Sequence, residues 1–315
     1  MEKLSITYLA AACLFIGQFV IFSCGNQSKE IKPKEYPKKS NEVAKSLNDS
    51  KLKKTILITG TGTPNGFGHG IALGLAKNHK VIAGVLNNEE KIQFEKKVKN
   101  LKLDIEIIKL DITNDTDLLK LDSYDIDVLV NNAGIGETGP LIDQPFDNYK
   151  ATFDVNVFGT FKITQKVLRN MIAKKIKGKI LFVSSNAGLQ GLPNLSSYSG
   201  TKHALEAMAS SLKKEMNQYG IKVAVINPGP YATGFNERIM NTSKKWYDPK
   251  TSFVNNKDYH YYDEILKNDQ ADPKEIIDEM IRIIPLEHHA YRTFLPKKVA
   301  EAVKKEQMAA WDEQI

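Results

Sequence analysis

The sequence predicts an α/β fold in which a parallel sheet of about seven strands carries helices on both faces. Two patterns lead to this prediction. Short runs rich in Val, Ile and Leu alternate with segments of helical spacing, which is typical of a doubly wound sheet. The runs are apolar on both faces, as strands buried in a parallel sheet are.

The elements follow in order along the chain. The predicted strands are Thr55–Thr59, Lys80–Leu86, Ile105–Leu110, Val128–Asn131, Lys179–Ser184, Lys222–Asn227 and Tyr291–Leu295. The predicted helices are Gly68–Asn78, Glu89–Asn100, Phe146–Lys174, Ser197–Tyr219 and Pro273–Ile284. Ligands of such sheets bind at the carboxyl ends of the strands. The residues that follow the strands are therefore candidates for a small-molecule site: a glycine-rich loop, Asp111, Asn131, Ser184, Ser185 and Asn227-Pro228-Gly229.

The loop after the first strand reads "ILITGTGTPNGFGHG" from Ile56 to Gly70. Glycine-rich loops between a strand and a helix hold phosphate on backbone N–H groups. The spacing G-x-G-x-x-G is absent, because Asn65 and Ile71 stand where a third glycine would fall. No Gly-Lys-Ser/Thr follows either, so the loop alone leaves its ligand open.

Composition excludes several classes of function. Apolar and charged residues make up 42% and 26% of the 315 residues, which is ordinary for a soluble protein. The net charge of +7 lies mostly in residues 1–54, where ten lysines face five acids, so we expect no nucleic-acid-binding face. Both cysteines, Cys13 and Cys24, precede the α/β region, which excludes a disulfide framework and a cysteine metal site there. No metal site is predicted.

Residues 1–24 are predicted to be a membrane element or signal. Leu4–Ser23 is an uncharged run of 20 residues, long enough to span a bilayer. Ile21-Phe22-Ser23-Cys24 resembles a bacterial lipobox, which would make the chain an exported lipoprotein. As an uncleaved anchor, the lysines after the run would keep the remaining chain in the cytoplasm. A cleaved signal peptide is the third alternative. Residues 25–53 are expected to be a disordered tether, followed by one domain over residues 54–315.

The stretch "VSSNAGLQGLPNLSSYSGTKHALEAMA" carries the strongest chemical signal. Tyr198 and Lys202 stand four apart on a predicted helix, so they share one face. An ammonium near a phenol lowers the pKa of the phenol, which then exchanges a proton with a carbonyl or alcohol oxygen near neutral pH. Ser185, at the end of the fifth strand, would orient the same oxygen. A surface Tyr–Lys pair is the alternative interpretation.

Further motifs in a fixed order make the chain resemble the short-chain dehydrogenase/reductase family over roughly residues 54–238. They are Thr61–Gly68, read as T-G-x-x-x-G-x-G; Asp111-Ile112-Thr113; "NNAG", Asn131–Gly134; Asn156 in "DVNVFG"; and Pro228, Gly229 and Thr233 in "NPGPYAT". The resemblance implies a Rossmann-like sheet, an NAD(P) cofactor, and hydride transfer between the nicotinamide and a carbonyl/alcohol substrate.

The resemblance also implies the role of each catalytic residue. Tyr198 would be the general acid in reduction and the base in oxidation, Ser185 would hold the carbonyl oxygen, and Lys202 would bind the nicotinamide ribose. Asn156 would steady a water in the proton relay, with a purely structural amide as the alternative. The residues expected to bind the cofactor are Tyr198, Lys202, Gly60, Thr61, Gly62, Asn65, Gly66, Phe67, Gly68, Asn87, Asp111, Ile112, Asn132, Ala133, Gly134, Pro228, Gly229 and Thr233.

Two readings of the glycine loop stay open. Thr59-Gly60 stands where the family has its T-G, so the loop is either shifted by two residues or lengthened by two. The shifted frame makes Gly62, Gly66 and Gly68 the cofactor glycines and Gly60 a turn residue. In this frame Gly70 would let the helix pack closely on the sheet.

The choice between NADP and NAD depends on the end of the second strand. NAD selectivity normally uses an acid there, and NADP selectivity a basic residue nearby. This chain has Val85 and Leu86 instead, and no carboxylate comes before Glu89. Asn87 could donate to a 2′-phosphate, so the sequence favours NADP, with NAD as the alternative.

Residues 235–270 depart from the strand–helix alternation, and the family has its variable substrate lid here. An aromatic lid suits an apolar or ring-bearing carbonyl, with ordinary packing as the alternative. We expect His260 to be a packing or surface residue and not a metal ligand. The aromatic residues and the histidine of this segment are Phe235, Trp246, Tyr247, Phe253, Tyr259, His260, Tyr261 and Tyr262.

The sequence also allows other functions, and it bears on the oligomeric state and the location of the protein. A catalytically silent dinucleotide-binding scaffold or regulator is the alternative function, and an epimerase or dehydratase using the same tyrosine is a third. The resemblance implies a homodimer or homotetramer. Nicotinamide cofactors are cytoplasmic, which favours a membrane anchor with a cytoplasmic domain over an exported lipoprotein.

Overall fold

One parallel sheet organises the part of the chain that the computed structural model describes, residues 53–255 and 269–314. Its strands lie in the order β3-β2-β1-β4-β5-β6-β7 and every neighbouring pair is parallel. The predicted doubly wound fold is confirmed, and each predicted strand ends within one residue of the observed one. The strands are β1 Thr55–Ile58, β2 Lys80–Val85, β3 Ile105–Lys109, β4 Val128–Asn131, β5 Lys179–Val183, β6 Lys222–Pro228 and β7 Arg292–Leu295.

The helices differ from the prediction at several points, and the short helices Asp115–Leu119 and Phe235–Met240 were not predicted. The predicted helix Phe146–Lys174 is interrupted by a π-helical turn at Asp154–Gly159. A lysine-rich helix that the sequence did not reveal follows β7. The helices are α1 Phe67–Leu75, α2 Asn88–Leu101, α3 Asp115–Leu119, α4 Phe146–Phe153, α5 Thr160–Ala173, α6 Ser196–Met216, α7 Phe235–Met240, α8 Lys274–Ile283 and α9 Lys297–Ala309.

The core consists of two apolar clusters, one on each face of the sheet. Ile56 and Ile58 of β1 belong to the cluster that α1 and α8 cover. Leu57, between them, belongs to the cluster under α5 and α6. Neighbouring residues of a strand point to opposite faces, so an all-apolar strand is required here. Burying each such side chain stabilises the fold by about 1.5–3 kcal/mol.

Gly70 has a different role from the predicted one. A Cβ at this position would lie 2.8 Å from Cδ1 of Ile277. The missing side chain therefore lets α1 pack against α8, not against the sheet, because Ile277 belongs to α8.

A buried cation lies at the edge of the sheet where the strands begin. Lys179, the first residue of β5, is 4% exposed. Its ammonium donates to the carbonyl oxygen of Ile283 at 3.2 Å and to that of Leu286, beyond the end of α8. Burial is the main cause that lowers the pKa of Lys179 to about 7, and the charges of Lys54 and Lys222 add to it.

The predicted membrane element of residues 1–24 and the tether of residues 25–53 precede the described residues, apart from Lys53. They remain predictions. Within residues 53–255 and 269–314, no helix combines the length and apolar character needed to span a bilayer.

Candidate active site

The loops after β1 and β4 meet at the carboxyl edge of the sheet. Because β1 lies between β2 and β4, the strand order reverses here, and this is where such sheets bind ligands. The Thr59 hydroxyl accepts from the backbone N–H groups of Asn132 and Ala133 at 3.0 and 2.9 Å. The Asn132 amide returns hydrogen bonds to the carbonyl oxygens of Thr59 and Gly60. These bonds fix the first loop against "NNAG".

The same contacts favour the lengthened reading of the glycine loop. Gly60 has a φ of 67°, in the left-handed region that favours glycine. A Cβ there would lie 2.6 Å from Cα of Ala133, so only glycine fits. Thr59-Gly60 therefore occupies the place of the family's T-G. The two additional residues follow Gly60, where Thr61 donates its N–H to the carbonyl of Gly84 in β2 at 2.9 Å.

The amino end of α1 is open to an anion. Its N-cap is Gly66, no side chain caps the helix, and the first turn contains no acid. Free N–H groups at a helix N-terminus are a ready site for pyrophosphate, so the loop fits a dinucleotide. Asn65 is exposed beside it. The Phe67 side chain turns away, with its ring edge-on to Tyr231 and 5.8 Å between the ring centroids.

Glu90 lies between the end of β2 and the glycine loop. Its Oε2 accepts from the backbone N–H of Leu86 at 2.8 Å. A Cβ on Gly62 would collide with the same carboxylate. Asn87 caps α2 by accepting from the N–H of Glu90 at 2.9 Å, so its carbonyl oxygen is already used. The sequence did not reveal this carboxylate at the end of β2, because it comes from the first turn of the following helix.

Asp111 and Ile112 form the loop after β3. Oδ1 of Asp111 accepts from the N–H and the hydroxyl of Thr113 at 2.9 and 2.7 Å, so it holds the turn. Ile112 is buried, and its side chain packs against Gly159. A cofactor contact at Ile112 therefore falls to its backbone.

Tyr198 and Ser185 meet above the end of β5. The phenol of Tyr198 lies close to the Ser185 hydroxyl, which acts to lower the pKa of the phenol. The Ser185 hydroxyl also accepts from the N–H of Ala187 at 3.1 Å and donates to Oδ1 of Asn186. Burial raises the pKa of Tyr198 to about 12, although the Ser185 hydroxyl opposes the shift. The pKa of Tyr198 is therefore raised in the protein alone, and not lowered as the spacing to Lys202 led us to expect.

Lys202 lies one turn further along α6. The side chain is 5% exposed and its Nζ donates to the carbonyl of Val183 at 2.9 Å. Nζ stands 5.5 Å from the centroid of the Tyr198 ring. Burial lowers the pKa of Lys202 to about 8, and the charge of Glu206 opposes the shift. The ammonium is thus poised to lose its proton at mildly alkaline pH.

Asn156 lies in the π turn and is 1% exposed. Its Oδ1 accepts from the N–H of Ile135 and its Nδ2 donates to the carbonyl of the same residue, both at 2.8 Å. Nδ2 also donates to the Thr201 hydroxyl at 3.0 Å. The amide therefore braces the loop after β4 against α6. Gly134 lies beside it, and a Cβ there would make a tight contact of 3.2 Å with Oδ1 of Asn156.

The loop after β6 closes the far side of the site. A Cβ on Gly229 would lie 2.9 Å from Cδ of Pro296, so α9 begins against this loop. Pro228 ends β6, and the buried Thr233 accepts from the N–H of Phe235 at 3.3 Å. These residues lie where the predicted nicotinamide end of the site would be.

Part of the predicted lid packs over Tyr198. The ring of Phe235, in α7, lies 5.7 Å from the ring of Tyr198 between centroids. The Asp143 carboxylate accepts from the N–H groups of Phe253 and Val254, so the lid is bonded to the loop after β4. Tyr259, His260, Tyr261 and Tyr262 lie outside the described residues. In the described ranges, no cluster of His, Cys, Asp and Glu has the makeup of a metal site.

Comparison with known proteins places this site in a class and then in a family. A doubly wound sheet of this kind belongs to the Rossmann-type nucleotide-binding proteins. The family model described as short chain dehydrogenase matches residues 54–244. The chain therefore belongs to the short-chain dehydrogenase/reductase family, and it is an NAD(P)-dependent oxidoreductase in that general sense.

Individual proteins that are similar to this chain support the family assignment. The uncharacterized oxidoreductase YusZ of Bacillus subtilis is 34% identical over 255 residues, which cover 75% of this chain and 87% of that protein. The NADPH-dependent 3-dehydrocapnine reductase of Ornithobacterium rhinotracheale is 32% identical and covers 76% of this chain and 83% of its own length. The crystal structure of a short-chain dehydrogenase from Streptomyces avermitilis superposes with a TM-score of 0.68 at 25% identity, covering 83% of this chain and 94% of that one.

Proposed function

We propose that the protein transfers a hydride between a nicotinamide dinucleotide and a carbonyl/alcohol pair, with Tyr198 as general acid and base. The observation that carries the proposal is the buried Lys202 ammonium, whose Nζ lies 5.5 Å from the centroid of the Tyr198 ring, with the Ser185 hydroxyl close to the phenol. Each of these three groups has a role in this reaction. A purely structural role would not require all three to lie together.

Different residues would bind the cofactor and transfer the proton. A bound nicotinamide supplies the hydride or accepts it in the reverse direction. The open amino end of α1 would hold the pyrophosphate, and Lys202 the nicotinamide ribose. In reduction Tyr198 gives its proton to the substrate oxygen, and the Ser185 hydroxyl donates a hydrogen bond to the same oxygen. The raised pKa of Tyr198 keeps the proton on the phenol at neutral pH, which suits the acid role.

Replacement of the phenol tests this proposal. Tyr198→Phe should lower kcat for carbonyl reduction by about a thousandfold, since general acid catalysis contributes factors of that order. The dissociation constant for the cofactor, measured by fluorescence titration, should change by less than about threefold. Tyr219→Phe is the matched control, because Tyr219 is exposed beyond the carboxyl end of α6. A wild type that binds the cofactor and turns over nothing in a broad carbonyl and alcohol panel would favour the scaffold alternative.

We further propose that the cofactor is NAD, against the preference for NADP that the sequence favours. The sequence argument rests on the lack of a carboxylate at the end of β2, and the Glu90 carboxylate lies there. It occupies the N–H of Leu86, which would otherwise be free to donate to a 2′-phosphate. The negatively charged carboxylate would repel a 2′-phosphate, and its oxygens would accept hydrogen bonds from ribose hydroxyls.

Equilibrium binding tests this preference. At about 4 Å, a carboxylate and a phosphate repel by about 1 kcal/mol in bulk water and by about 4 kcal/mol at an effective dielectric constant of about 20. At this solvent-facing edge we expect about 1–2 kcal/mol, or roughly tenfold in affinity. Glu90→Gln should therefore bind NADPH about tenfold more tightly, while Glu89→Gln, its exposed neighbour, should not. Wild-type protein that binds NADPH more tightly than NADH would overturn the proposal.

We propose an apolar carbonyl compound as the substrate class. Phe235 against Tyr198 supports this, because an aromatic side chain over the reacting oxygen favours an apolar or ring-bearing group. The substrates in the names of the relatives are diverse: the Mus musculus relative, 31% identical, is a D-beta-hydroxybutyrate dehydrogenase, and the Bos taurus relative, 28% identical, is a retinol dehydrogenase. Turnover of ketones of increasing apolar size should show kcat/KM rising with size, and a decline would exclude an apolar site.

A further inference from the structure

A buried polar network lies behind the catalytic lysine. Glu206 stands one turn after Lys202 on α6, and its side chain is 10% exposed. Asn227, the residue before the last of β6, has no exposure, and Arg292 is the first residue of β7. The three side chains come from three separate elements and meet under the end of β5.

Each polar group of Asn227 is used. Its Nδ2 donates to Oε1 of Glu206 at 2.6 Å and to the carbonyl oxygen of Ser185 at 2.9 Å. Its Oδ1 accepts from the Arg292 guanidinium at 2.7 Å. The donors and acceptors thus fix a single orientation of the amide. The backbone of Ser185 is held by this amide.

The charges of the network are also paired. A guanidinium nitrogen of Arg292 lies 2.8 Å from Oε2 of Glu206. The two groups form an ion pair, although their geometry is not that of a hydrogen bond. Lys202 makes no ion pair with any carboxylate of the described residues, and it donates to a backbone carbonyl. The groups that face its ammonium are Tyr198 on the same helix, Glu206 behind it, and the loop atoms of Gly134. Glu206 is therefore the nearby negative charge that offsets the burial of the ammonium.

We propose that Glu206 is a positioning residue, which acts with Asn227 and Arg292 to hold Ser185 in place and to set a negative charge behind the Lys202 ammonium. The inference rests on the proposed function. Its consequence concerns pH, because removal of the Glu206 charge makes the buried ammonium lose its proton more readily. If Glu206 had only a structural role, its replacement would change the stability of the protein and leave the pH profile of kcat/KM unchanged.

The test compares Glu206→Gln with the wild type. The glutamine keeps the size and an acceptor for Asn227 but loses the charge. The alkaline limb of the pH profile of kcat/KM should move down by about one pH unit, and kcat near pH 8 should fall about fivefold. Glu206→Asp keeps the charge, so the alkaline limb of its pH profile should lie at the wild-type position, even if its melting temperature is lower. Glu215→Gln, exposed on the same helix, is the control.

A second readout separates this inference from the proposed function. The pKa of Lys202 is measured directly by NMR of the ε-carbon-labelled lysine in wild type, Glu206→Gln and Glu206→Asp. A fall of about one unit in the glutamine variant alone supports the inference even for an enzyme whose substrate is unknown. An unchanged Lys202 pKa overturns it, while a wild type without turnover overturns only the proposed function.

Discussion

Lys179 should make the stability of the domain rise with pH between about 7 and 9.5. Its pKa falls from the usual 10.5 to about 7 in the folded protein, so the unfolded chain binds the proton more strongly. Stability rises with pH wherever the unfolded state holds more protons, and this window lies between the two pKa values. At about 1.36 kcal/mol per pKa unit, the contribution of Lys179 changes by about 3 kcal/mol over the window.

Urea unfolding of the wild type and Lys179→Met at several pH values measures this contribution. Methionine fills a similar volume but loses the hydrogen bonds to Ile283 and Leu286, so a constant loss of about 1–3 kcal/mol is expected. The informative quantity is the difference in unfolding free energy between the two proteins, which should shift by about 3 kcal/mol in favour of the wild type as pH rises. His289, whose pKa burial lowers to about 4, is neutral in the folded state throughout. A difference that is flat with pH would refute the reasoning.

The remaining predictions concern the site. Asn156→Ala should lower the unfolding free energy by about 2–3 kcal/mol, because it leaves buried backbone groups without partners; urea unfolding measures this, and a loss under about 0.5 kcal/mol would contradict it. Gly68→Ala should weaken binding of the cofactor and lower the melting temperature, since its Cβ would lie 2.5 Å from Nδ2 of Asn132. Gly191→Ala, where nothing lies within 4 Å, is the control and should change neither quantity. Tyr231→Phe should cost about 1 kcal/mol of stability through its lost bond to Glu275, with activity as the control measurement.

The strands, and the residues that we propose as catalytic, could be predicted because their signals are local. An apolar β-branched run predicts a buried strand wherever it occurs, and the four-residue spacing of Tyr198 and Lys202 is visible in one helix. Helix α9 gave no such signal, because only Val303 of its residues is buried. The break at Asp154–Gly159 was not predicted either, since it depends on what Asn156 contacts across the site.

The second group of site residues depends on pairing between distant segments. Asn227 meets Arg292 only because β6 and β7 pair in a particular register, with Val225 opposite Arg292. Glu90 reaches Gly62 only because the glycine loop is two residues longer than the usual pattern. The pKa of Tyr198 depends on burial, which a helical spacing does not report. The sequence thus predicts candidate reacting groups, whereas the buried groups around them become visible only in the structure.

The π turn of Asp154–Gly159 has a consequence for how this enzyme would evolve in the laboratory. A π turn accommodates one residue more than an α-helix of the same length, so deletion of a single residue would turn α4 and α5 into one regular helix. Each residue of an α-helix turns the chain by about 100°, so the two halves would lose their relative orientation. Asn156 and the apolar face of α5 could no longer both reach their partners. Because these contacts hold both the fold and the site, selection for thermal stability and selection for turnover would both retain the extra residue.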